Sequence, residues 1–155
     1  MLVVDAITKI VTVINEIRSD RVKKIILMNT TACINREQNE NLTKSESLVM
    51  GIMRALLPPQ RDNDRALEYL INKIERNNGF IEWVAVRPDT LINENEVTEY
   101  TIFPSTVRSA IFAPGKSSRI NVADFMVNLL RDKELWEKWK YKTPVIYNKG
   151  FGGKT

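Results

Sequence analysis

From Asp5 to Arg18 apolar residues recur at steps of three and four: Ile7, Ile10, Val11, Ile14 and Ile17 alternate with Lys9, Thr12, Asn15, Glu16 and Arg18. That period predicts an amphipathic helix with Asp5 as its N-cap. Ser19 to Arg21 turns the chain. Val22 to Asn29 then holds the unbroken run Ile25-Ile26-Leu27-Met28, as in a strand buried on both faces, with Thr30 and Thr31 at its carboxyl end. Asn35 to Ser47 is polar and reads as a surface loop, and Leu48 to Leu57 is helical until Pro58-Pro59 stops it. Asp62 or Asn63 caps the next predicted helix, which carries Ala66, Leu67, Leu70, Ile71 and Ile74 on one face and runs to about Asn77, with Asn78-Gly79 as its stop.

An apolar β-branched and aromatic run follows in Glu82 to Asn93. Its β-branched and aromatic residues stop at Arg87-Pro88, because proline cannot donate to a strand ladder. Ligands of open α/β sheets bind beyond the carboxyl ends of the strands, which is where the polar turn Asp89-Thr90 falls. Glu99 to Phe103 reads as a short strand, and Pro104, Pro114 and Gly115 mark a loop that wraps back towards the sheet. Asn121 and Asp124 have capping-box spacing ahead of an apolar face of Phe125, Met126, Leu129 and Leu130. Asp132 caps a short helix through about Lys140, and Pro144 to Tyr147 forms a last strand. Alternating strands and helices predict right-handed crossovers and a parallel sheet.

Composition narrows the chemistry. Histidine is absent from the 155 residues, which excludes Ser-His-Asp and Cys-His catalysis and His-ligated zinc within this chain. The lone Cys33 cannot form an internal disulfide and reads as a small buried residue. A net charge of +4 comes from 23 basic residues interleaved with 19 acidic ones, the pattern of a solvated surface. Nothing approaches about 18 uninterrupted apolar residues, and Met1 to Val4 meets Asp5 at once. Neither a membrane span nor a signal peptide is therefore expected, and the expected location is cytoplasmic. One domain over residues 1–148 with a flexible tail over 149–155 suits this length.

The strand ending in Thr30-Thr31, the helix Ala66 to Leu70, the strand Glu82 to Leu91, Ser118 to Met126 and the terminal Pro144 to Asn148 together resemble the second half of an atypical short-chain dehydrogenase/reductase. More narrowly the chain is similar to NmrA-like NAD(P)-binding proteins, and the pairing of the helix Ala66-Leu-Glu-Tyr-Leu70 with the strand end Arg87-Pro-Asp-Thr-Leu91 is the most specific part. The resemblance implies an α/β fold with a Rossmann-like parallel sheet flanked by helices, NAD or NADP as cofactor, an unknown small molecule as substrate, and hydride transfer as the chemistry. By the same resemblance Asn29, Thr30, Pro88, Asp89, Thr90 and Leu91 line the nicotinamide end of the site.

Two features depart from the family's pattern. Its glycine-rich turn between a first strand and helix lets the backbone approach the pyrophosphate. None of Gly51, Gly79, Gly115, Gly150, Gly152 and Gly153 falls in such a turn, so the N-terminal glycine-rich βαβ unit is lacking and the chain is expected to be a truncated form with weak or no activity alone. The family's tyrosine and lysine, four residues apart, find a match in spacing only at Tyr69 and Lys73. Counting back from Glu68 and Arg87 puts Gln60 and Asp64 at the family's positions instead.

Other candidates have plainer readings. Arg87 before Pro88 reads equally as a strand terminator with a surface cation. Trp136, Trp139 and Tyr141 interleave with Lys138, Lys140 and Lys142, a basic aromatic segment that reads as one packed helical face, so nucleic acid is not an expected partner. Asp62, Asp64, Glu94 and Glu96 read as cap and loop residues rather than a magnesium site, and no metal is expected. The tail from Asn148 ends in Gly-Lys-Thr like a phosphate loop but has asparagine where that motif needs glycine. The rival to an oxidoreductase-like protein is a noncatalytic interaction or regulatory module, self-associating through an exposed sheet edge.

Overall fold

The structure, a computed structural model, describes residues 1–35, 40, 43–74, 76 and 78–150. The elements in chain order are α1 (Leu2–Ile17), β1 (Lys23–Met28), α2 (Lys44–Leu56), α3 (Pro58–Lys73), β2 (Ile81–Pro88), β3 (Thr90–Ile92), β4 (Tyr100–Phe103), β5 (Lys116–Ser118), α4 (Arg119–Arg131), α5 (Lys133–Trp139) and β6 (Val145–Asn148). Four strands form a sheet in the order β1-β2-β6-β4, and β3 pairs with β5. Partner numbers rise together between β1 and β2, where Lys23 N bonds Phe80 O and Asn29 N bonds Val86 O, so this pair is parallel. The β2–β6 and β3–β5 pairs are parallel too, and β4–β6 is antiparallel. The expected α/β class with a mostly parallel sheet is what the chain builds.

Two compact units divide the chain: Met1–Ile25 with Leu42–Trp83, and Ile26–Asn41 with Val84–Thr155. In the first, α1 and α2 both pack on α3. The buried positions Ile7 and Val11 of α1, Met50 of α2 and Ala66, Leu67 and Leu70 of α3 supply its core, each large side chain contributing roughly 1.5–3 kcal/mol. The apolar face of α1 is narrower than its period suggests, since Ile10 is 50% and Ile17 67% exposed.

Several expected helix ends move, each for a hydrogen-bonding reason. Asp5 is not the cap of α1; the helix begins at Leu2, and Asp5 sits in its first turn, ion-paired with the Met1 ammonium at 2.7 Å. Nor does Asp62 cap its own helix. Its carboxylate accepts the Val3 and Val4 amides at 2.8 and 3.0 Å and so caps α1. Those bonds hold the Asp62 carboxyl below its ordinary pKa against the opposing effect of burial. Pro58 and Pro59 follow the end of α2 at Leu56, as expected of a stop, and they also open α3 at its first two positions, where a missing N–H costs nothing. Helix α2 begins four residues before Leu48, set by a capping box in which Thr43 Oγ1 accepts the Glu46 amide at 3.3 Å and Glu46 Oε2 accepts the Thr43 amide at 2.9 Å. Within the expected surface loop, Asn35 and Glu46 are buried, while residues 36–39 and 41–42 lie outside the described residues. Helix α3 ends at Lys73, short of the expected Asn77, which also lies outside them.

The second unit centres on a cluster of Val84 and Val86 from β2, Val122, Phe125 and Leu129 from α4, Trp136 and Trp139 from α5, and Ile146 from β6. Trp136 and Trp139 are buried, so the basic aromatic segment is the packed helical face expected, with Lys138 and Lys142 Nζ 5.4 and 6.0 Å from the Trp139 ring. Asp132 caps α5 as expected, accepting the Glu134 and Leu135 amides at 2.8 and 3.1 Å. Helix α4 starts at Arg119 rather than at Asn121, because Ser118 Oγ takes the Asn121 amide at 3.2 Å. Strand β1 is not buried on both faces: its residues are exposed or half-buried, as follows from its place at one end of the sheet order. The ending of the P-loop-like tail, residues 151–155, lies outside the described residues.

Candidate functional site

Backbone pairing brings the carboxyl ends of β1 and β2 side by side within the second unit. Asn29 N bonds Val86 O at 2.8 Å and Thr31 N bonds Pro88 O at 3.1 Å. The two ends share a local device: Asn29 Oδ1 accepts the Thr30 amide and Asp89 Oδ1 the Thr90 amide, both at 2.8 Å. Each turn is thus fixed by its own side chain. Asn29, Pro88 and Asp89 are buried, Thr30 and Leu91 half-buried, and Thr90 exposed. The six residues that the sequence singles out therefore lie at the ends of β1 and β2 and in β3. Tyr69 and Lys73 lie in the other unit, near the end of α3, half-buried and exposed respectively.

Asp89 organises the end of β2. Its Oδ2 accepts the Gly115 amide at 3.0 Å, its own amide donates to Ser117 Oγ at 3.1 Å, and Ser117 Oγ donates to Ile146 O at 2.6 Å. Burial pushes the Asp89 carboxyl above the ordinary aspartate value, and bonds from Gly115, Thr90 and Thr31 offset only part of that. Strand β5, which supplies Ser117 and Ser118, was not expected; Lys-Ser-Ser has no apolar alternation, and its burial rests on hydrogen bonds instead.

Arg87, one residue before Pro88, is not a surface cation. It is fully buried and forms a two-pronged ion pair with Glu40, Nη1 to Oε2 at 2.7 Å and Nη2 to Oε1 at 2.6 Å. Its Nε donates to Thr143 O and its Nη1 to Cys33 O, both at 2.9 Å. Burial alone pushes the Glu40 carboxyl up, but Arg87 and the Asn35 and Thr106 amides together hold it below the ordinary glutamate value. Nothing in the sequence pairs residues 47 positions apart, and Glu40 lies in a polar stretch without periodicity.

Tyr147 follows Ile146, the register partner of Pro88, and its ring packs edge-on against Phe103 at 5.9 Å. The buried hydroxyl has only a loose approach from the Val107 amide. Burial, then the Asp89 charge, pushes it from an ordinary value of 10 to about 12. Tyr100, whose hydroxyl donates to Asp124 Oδ2 at 2.6 Å, is likewise pushed to about 12, first by burial and then by that bond. For a phenol raised in the fold, the stabilising contribution is complete below pH 10 and is lost as pH climbs through about 12. Ultraviolet titration is expected to show two late-ionising tyrosines, one removed by Tyr100→Phe and the other by Tyr147→Phe, with unfolding accompanying the late phase. Full ionisation of both near pH 10 in folded protein would contradict the packing described.

At the ends of β1 and β2 the Thr30, Asp89 and Thr90 amides are taken up by bonds within the fold, as is the Asp89 carboxylate. For the pyrophosphate, glycine-backed amides at a strand-to-helix turn are needed, and Gly51 lies inside α2 while Gly79 precedes β2 and Gly115 bonds Asp89.

A family model for NAD(P)H-binding proteins matches residues 5–133. Among curated protein sequences, no match is found. Solved structures share the fold. ChuY, an anaerobilin reductase from Escherichia coli O157:H7, is 15% identical with a TM-score of 0.58, the match covering 92% of this chain and 58% of that one. A short-chain dehydrogenase/reductase from Veillonella parvula DSM 2008 is 17% identical with a TM-score of 0.54, covering 83% and 51%. The oxidoreductase YlbE from Lactococcus lactis is 14% identical with a TM-score of 0.51, covering 82% and 47%. The chain thus spans about half the length of these proteins. With 129 consecutive residues matched, the chain belongs to the NAD(P)H-binding family.

Proposed function

We propose that this chain supplies the nicotinamide-side wall of an NAD(P)H site in an oxidoreductase of the atypical short-chain, NmrA-like kind, and that it corresponds to the second half of such a domain. The observation that carries the reading is the Thr31–Pro88 backbone bond, which sets Asn29 and Thr30 beside Pro88, Asp89, Thr90 and Leu91. Bound there, the cofactor would supply hydride transfer. The chain's own residues would orient the ring by hydrogen bonds, while a glycine-rich unit beyond those present would hold the phosphates. Lacking that unit, the isolated chain binds weakly, with a dissociation constant on the order of 1 mM, equivalent to about −4 kcal/mol.

Titrating NADPH and NADH into isotope-labelled protein tests this. Amide shifts are expected at Asn29–Thr31 and Asp89–Leu91, and fusion of a glycine-rich strand–turn–helix unit ahead of Met1 should tighten them. Shifts confined to other residues, or none at millimolar cofactor, would overturn the reading. The rival, a noncatalytic module that associates with another chain, draws support from Leu48, Ile52 and Leu56, exposed at a four-residue spacing on α2. It predicts concentration-dependent line broadening along that stripe and no cofactor shifts.

A further inference from the structure

We infer that Arg87 and Glu40 are positioning residues for the candidate site, a buried latch that fixes the segment after β1 against the end of β2. The inference rests on the dinucleotide reading above for its functional meaning, while the latch itself is a matter of geometry. A buried ion pair is weak as a source of stability, because two charges must leave water; apolar side chains of similar size often do as well. What the pair supplies is direction. Guanidinium and carboxylate meet through two parallel bonds of 2.7 and 2.6 Å, with side-chain exposures of 0% and 5%.

Both groups also bond to backbone. Arg87 grips the carbonyls of Cys33 and Thr143. Glu40 grips the amides of Asn35 at 2.8 Å and Thr106 at 3.0 Å. A second tie runs beside it, Asn35 Nδ2 to Thr143 Oγ1 at 3.1 Å. The path to the site is short: the Cys33 amide donates to Thr30 O at 3.0 Å, and Thr31 N bonds Pro88 O. Holding Cys33 therefore holds Thr30, on one wall, from a side chain that sits directly before Pro88 and Asp89, on the other.

Cys33 is 0% exposed and the sole cysteine, so its thiol reports directly on whether this segment is held. The test compares wild type, Glu40→Gln and Arg87→Lys in three measurements: reaction of Cys33 with dithiodipyridine, the urea midpoint, and NADPH-induced amide shifts. Glu40→Gln is expected to speed Cys33 labelling by about tenfold or more under conditions well below its urea midpoint and to diminish the shifts at Asn29–Thr31. Arg87→Lys keeps the charge without the fork, and is expected to retain the wild-type urea midpoint more fully than the slow labelling. Unchanged labelling in both variants would overturn the latch. Faster labelling with undiminished NADPH shifts would overturn the positioning role alone. Absence of shifts in wild type, with labelling still sensitive to Glu40→Gln, would defeat the dinucleotide reading and the positioning role with it, while leaving the latch standing.

Discussion

Replacing Arg87 with methionine while Glu40 remains is expected to cost the fold about 3–5 kcal/mol, read as a lowered urea midpoint. Almost none of that is the worth of the ion pair. The substitution leaves a carboxylate whose side chain is 5% exposed without its counter-ion, and strips the donors from the Cys33 and Thr143 carbonyls. The double variant Arg87→Met with Glu40→Leu removes both charges and is expected to recover most of the loss. Acid acts on the same pair from the other side. Glu40 is held below its ordinary value in the fold, so its contribution is present above the unfolded value and is lost as pH falls through the lowered one. A double variant no more stable than Arg87→Met alone would show that the backbone bonds, not the stranded charge, dominate.

Trp136→Ala should produce a loss of similar size, about 3–5 kcal/mol, because it empties the largest fully buried side chain from the cluster that joins α5 to α4, β2 and β6. Lys138→Ala, two residues away and exposed, should change stability by no more than about 1 kcal/mol, the scale of an exposed cation over an aromatic ring. Thermal or denaturant unfolding of the two variants separates a packing role for this segment from a surface one. Equal effects would mean that the indole contributes little to the core.

These two residues also mark how far the sequence could be read. Trp136 and Trp139 stand three apart on a short helix begun by Asp132, and local spacing was enough to assign them to a core face. The strand ending at Arg87-Pro88 was legible for the same reason, since proline is a local stop. Arg87 itself was not, because the fate of a guanidinium depends on whether a carboxylate arrives from elsewhere, and Glu40 arrives from a stretch with no pattern at all. The Thr43–Glu46 capping box was a local signal that the apolar pattern, beginning only at Leu48, concealed. The short polar strand β5 left no apolar trace. Of the site, the positions at the strand ends follow from where strands stop; the hydrogen bonds that hold them come from Gly115, Ser117 and Cys33, which no spacing connects to Asp89 or Thr30.

The Asp62 carboxylate has a consequence for the order in which the first unit assembles. A helix usually carries its own cap, so its first turn can form by itself; α1 takes its cap from 58 and 59 positions further along the chain. Its opening turn cannot be completed until α3 is in place, and closing so long a loop costs chain entropy before any contact repays it. Within this unit α1 is therefore finished only after α3, its start ordered from a side chain that arrives late rather than from its own first turn.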